Sequence, residues 1–97
     1  MPSYVTLVNW TDHGIKNVKD APKRIGAFEA AVKAAGGSMK GIYLTLGEYD
    51  LVVVTELPSD EVGAKLALAT AMQGNVRTTT MRAFAREEAV KIISSLP

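Results

Sequence analysis

Leu51-Val52-Val53-Val54 sets four apolar residues in unbroken succession, three of them β-branched. Side chains of a strand alternate between two faces, so a run with no polar position needs cover on both sides. Just upstream, Gly47-Glu48 suits a two-residue type II′ hairpin turn. The runs it joins, Ser38 to Leu46 and Tyr49 to Glu56, are predicted to pair antiparallel.

Working outward, Gly36-Gly37 closes a segment in which Ile25, Phe28, Val32 and Ala35 recur at spacings of three and four, the mark of an amphipathic helix. Ile15 and Val18 make a shorter piece before it. Pro22 separates the two, because it cannot donate to a preceding turn yet fits the first turn of a new helix, with Asp20 as the expected N-cap. The chain opens with Ser3 to Asn9, a β-branched and aromatic strand. Downstream, Pro58-Ser59-Asp60-Glu61 starts a second helix, Ser59 capping it and the acids matching its dipole. Val62, Leu66, Ala69 and Met72 form its stripe, and Gly74-Asn75 ends it. Val76 to Phe84 is a Thr-rich fourth strand, and Arg86 to Leu96 a closing helix with Ala89, Ile92, Ile93 and Leu96 apolar.

Strand, helix, strand, strand, helix, strand is the α+β, ferredoxin-like βαββαβ pattern, here with a C-terminal helix and a four-stranded antiparallel sheet. Both helices lie on one sheet face. The strand at 51–54 and the first strand nevertheless lack a clearly polar side, and a bare apolar sheet face is abnormal for a monomer. The expectation is a homodimer, or a multiple of it, whose sheets pack face to face as a dimeric α/β barrel.

Ninety-seven residues, 47% hydrophobic and 22% charged, make one folded domain over 1–97 that needs no metal or disulfide. No cysteine is present, which removes thiolate catalysis and cysteine-based metal sites. Eleven basic against ten acidic side chains leave +1, with the bases spread along the chain, so neither nucleic acid nor a membrane surface is an expected partner. The aliphatic stretch at 51–54 also lacks the aromatic platforms of an RNA recognition module. No leader and no run of about 18 apolar residues occurs, and the expectation is a soluble cytoplasmic protein.

Five blocks, Asn9-Trp10-Thr11, Gly14 to Asn17, Lys19 to Arg24, Tyr43 to Asp50 and Gly74 to Thr80, resemble the GYD domain family in the same order along the chain. The Gly-x-Tyr-Asp motif of the family's name is Gly47, Tyr49 and Asp50. The resemblance implies a ferredoxin-like dimeric α/β barrel and no particular chemistry.

Candidate site residues come from the residues themselves. Asp50, entering an apolar strand after a turn, could serve as a general base, or could pin the turn by accepting hydrogen bonds. His13, the only histidine, is a second candidate base, or else an exposed residue at a helix start. Trp10, Tyr43 and Tyr49 suit an aromatic-lined pocket for a small organic ligand and would serve packing equally well. Arg77 and Arg82, five apart on one strand, point to opposite faces, so at most one enters a barrel interior; Arg77 is the candidate anion anchor. Lone His13 lacks metal-ligand spacing, and no phosphate loop, dinucleotide fingerprint or nucleophile elbow occurs, so no cofactor or metal is expected. Two functions remain: binding, with a transformation open, of a small organic molecule in a barrel cavity, or a non-catalytic oligomeric sensor or accessory protein without a pocket.

Overall fold

The computed structural model describes residues 1–97. Its strands are β1 (Ser3–Trp10), β2 (Ser38–Leu44), β3 (Leu51–Glu56) and β4 (Val76–Ala83). Its helices are α1 (Asp12–Lys16), α2 (Ala21–Ala34), α3 (Asp60–Ala71) and α4 (Arg86–Ser94), with a 3-10 turn at Val18–Asp20. The strands form one sheet in the order β2-β3-β1-β4, every neighbour antiparallel. This is the ferredoxin-like arrangement, with β1 and β2 parallel to each other and separated by β3.

Local chemistry sets the element ends. Ser59 Oγ accepts from the Val62 amide at 3.3 Å and starts α3. α2 stops in a Schellman motif: Gly36 has φ +89°, Gly37 N–H donates to Val32 O and Gly36 N–H to Lys33 O, both at 3.0 Å. Asp20 stands before α2 but its side chain caps nothing, because the 3-10 turn runs straight into the helix and already has the residue in helical φ and ψ. The expected two-residue turn at Gly47-Glu48 is instead a four-residue loop, Leu46 to Tyr49. It is closed by the Thr45 amide donating to Asp50 O at 2.9 Å and Thr45 Oγ1 donating to Tyr49 O at 2.6 Å.

Alternation along β3 is regular: Leu51, Val53 and Thr55 are buried beneath the helices, while Val52, Val54 and Glu56 are half-buried on the far side. The core lies between sheet and helices in two clusters, Tyr4 with Val32 and Leu57, and Val8 with Leu51 and Val53. The far face has no layer over it. Register places Val5 between Val54 and Met81, and Leu7 between Val52 and Thr79, with Gly41 and Tyr43 beside Val54 and Val52. α4 leaves the end of β4 without packing substantially on any element.

Candidate functional site

The segments that close the sheet meet where β1 ends and β4 begins. Thr11 caps α1 by accepting from the Gly14 amide at 3.0 Å, and the same hydroxyl donates to Gly74 O at 2.6 Å. Thr11 N–H donates to Asn75 O at 3.1 Å. Gly14 is required at this junction, since a Cβ there would stand 1.9 Å from Asn75 O. Asp50 joins the same end from the other side: its Oδ2 accepts from the Trp10 amide at 2.9 Å, and its own amide donates to Val8 O at 2.9 Å. Both bonds tie the loop before β3 to the last turn of β1, the pinning role open to this residue.

A cleft of about 180 Å³ runs between α2 and α3, floored by the helix-side face of the sheet. Trp10, Val8, Phe28, Val53 and Leu66 line it, with Arg24, Gln73, Asn75 and several threonines contributing polar groups. Nη1 of Arg24 donates to Asn17 O at 3.2 Å, while its Nη2 is buried with no acceptor.

The six residues singled out from sequence are not gathered in one place. Trp10 enters the cleft. Tyr43, 61% exposed, and Arg77, also exposed, stand on the open face at opposite edges of the sheet, Tyr43 beside Val52 and Arg77 beside Asn9. Tyr49 is half-buried in the β2–β3 loop, and His13 is exposed on α1. Arg82 takes the face opposite Arg77, as five-residue spacing requires, and pairs with Tyr4 on the helix side.

Sequence reading missed two groupings. One is the Arg24, Gln73 and Asn75 end of the cleft, whose signal was a basic residue in the first turns of an apolar-striped helix. The other lies at the opposite end of the sheet. There Tyr4, 4% exposed, donates its hydroxyl to Asp60 Oδ1, and the Arg82 guanidinium stacks 4.4 Å from the Phe84 ring centre and 5.9 Å from that of Tyr4. Burial holds the Tyr4 phenol above its ordinary pKa, and the hydrogen bond to Asp60 and the Asp60 charge add to this, against a smaller opposing effect of Arg82. No group of three or more His, Cys, Asp or Glu side chains is placed to hold a metal. No helix is long and apolar enough to cross a membrane.

The model of the GYD domain family matches residues 4–93. The chain is 31% identical over 84 residues to a Thermus thermophilus protein named glutamine synthetase and cystathionine beta-lyase binding protein, covering 86% of this chain and 88% of that one. Among solved structures it resembles a protein designated FFRP-DM1, with TM-score 0.60 and 19% identity over 87% of this chain and all of the other. It also resembles the leucine response regulatory protein of Mycobacterium tuberculosis, with TM-score 0.56 and 17% identity over 87% of this chain and 51% of that one. At these identities the two structures speak for the fold alone.

Proposed function

Since this chain belongs to the GYD domain family, whose fold leaves one sheet face uncovered here, we propose that it is a non-catalytic accessory protein that works as a homodimer and attaches to metabolic enzymes. The observation that carries this reading is the open face. Val5, Leu7, Val52, Val54 and Met81 form a continuous apolar centre, and Lys40, Glu56 and Arg77 lie toward its margins, Lys40 and Glu56 paired at 3.6 Å. An apolar centre with a polar rim is how protein interfaces are built.

The accessible surface, 6679 Å², exceeds the roughly 5,400 Å² expected of a 10.4 kDa monomer by about 1,300 Å², more than the roughly 800 Å² that each partner gives to a standard interface. Asp50 supports the non-catalytic reading, since its carboxylate is engaged by the Trp10 amide. The Thermus thermophilus relative supports the choice of partner through the two enzymes in its name. Native mass spectrometry of the chain alone, then with glutamine synthetase or cystathionine β-lyase from the same source, tests it. Dimers alone and a complex with either enzyme are expected; a monomer that ignores both overturns it.

A second reading, uptake of a small organic molecule, is favoured by the cleft between α2 and α3. At about 180 Å³ it is somewhat larger than the roughly 150 Å³ apolar cavity known to admit benzene.

A further inference from the structure

Charge in the cleft is confined to one end. α2 begins and α3 ends above the point where β1 gives way to β4, and this brings Arg24, Gln73 and Asn75 to the same end of a cavity walled elsewhere by uncharged residues, apolar ones such as Val8, Phe28, Val53 and Leu66 together with several threonines. Arg24 is the only charged residue on the lining, and no acidic side chain shares the cleft with it. Its guanidinium is half satisfied: Nη1 reaches Asn17 O, whereas Nη2 is shut away from solvent with nothing to donate to. Buried donors in native folds nearly always find an acceptor, and a guanidinium fork matches the paired oxygens of a carboxylate, the smaller of the oxyanions it grips in this way. α2 also directs the positive end of its dipole toward this end of the cleft.

We propose that the cleft binds a small apolar carboxylate, its ring or branched alkyl body between α2 and α3 and its carboxylate on Arg24. This rests on the small-molecule reading and is independent of the open face, which lies on the other side of the sheet. The volume restricts the body to about the size of a benzene ring. Gln73 and Asn75 supply further donors beside the carboxylate.

Calorimetric titration with benzoate and its neutral analogue benzamide tests the proposal. Benzoate binds the native protein at least about tenfold tighter than benzamide, the difference a charge-assisted bond confers, and Arg24→Gln removes the preference while benzamide binding stays. Ala67→Phe, which fills the cleft and leaves Arg24 in place, abolishes uptake of both. Equal affinity of the two probes overturns the carboxylate assignment and leaves the small-molecule reading standing. A benzoate preference that survives in Arg24→Gln overturns the role of Arg24. No uptake of either probe at millimolar concentration overturns both the proposal and the reading beneath it.

Discussion

Asp50 and Tyr4 each take their role from a partner far away in the chain. The Trp10 amide that Asp50 receives lies 40 residues earlier, and Asp60, which receives the Tyr4 hydroxyl, lies 56 residues later. Local pattern announced Ser59 as a cap and Gly36 as a stop, because those bonds close within a few residues. It left Asp50 open between base and pin, and it gave Tyr4 no role beyond a strand face. Tyr4 has a measurable consequence. Its phenol ionises less readily in the fold than in the unfolded chain, whose value is near 10.0. Below that pH both states hold the proton and stability is unaffected; above it the unfolded chain alone releases the proton, so stability falls until the folded phenol titrates as well. Urea unfolding across alkaline pH should show a decline that Tyr4→Phe reduces. The same variant should lose about 1 kcal/mol at neutral pH with the Asp60 bond. An identical alkaline slope in both proteins would show that Tyr4 is not the group responsible.

Elements were legible where period and punctuation agreed. The 3- and 4-residue spacing in α2, the Ser59 cap of α3 and the apolar run of β3 all correspond to what folds. The β2–β3 connection was not, because Gly47-Glu48 satisfies the rule for a tight turn while Thr45 and Asp50 outside it make the closing bonds and open the loop to four residues. The last helix presents the reverse case. Its stripe was readable, but a stripe does not say what it packs on, and in the single chain α4 leaves Ile93 and Leu96 about two-thirds exposed, at 64% and 66%. A helix of nine residues is marginal in water without such packing. Removing residues 86–97 should therefore leave the dilute monomer's unfolding free energy within about 0.5 kcal/mol of the parent. In the proposed dimer, where α4 gains a surface to cover, the same deletion should weaken association by at least about tenfold, read by sedimentation equilibrium. A large loss of monomer stability would mean that α4 packs on its own chain.

At the scale of the whole molecule, several quantities bear on the proposed dimer. The radius of gyration is 14.5 Å against about 12.5 Å for a chain of this length, the extents are 51 × 31 × 18 Å, and only ten of the 97 residues are buried. A slab 18 Å thick is two layers, one of sheet and one of helix, and a third layer is what the β3 run at 51–54 called for from the start. A second copy of the same face is the simplest layer available, because a two-fold axis over Val5 and Val54 sets like against like without any new sequence. Such an association stabilises the folded chain by mass action, so the melting temperature should rise with protein concentration. Val54→Asp places a carboxylate at the centre of the face, where desolvating it against an apolar partner is costly, yet in the monomer it remains in reach of water. The variant should therefore stay folded by circular dichroism, run as a monomer, and melt at a temperature independent of concentration. A Val54→Asp protein that still dimerises would place the interface elsewhere, and a native protein whose melting does not depend on concentration would overturn the dimer; either result would leave the open face free for an enzyme partner.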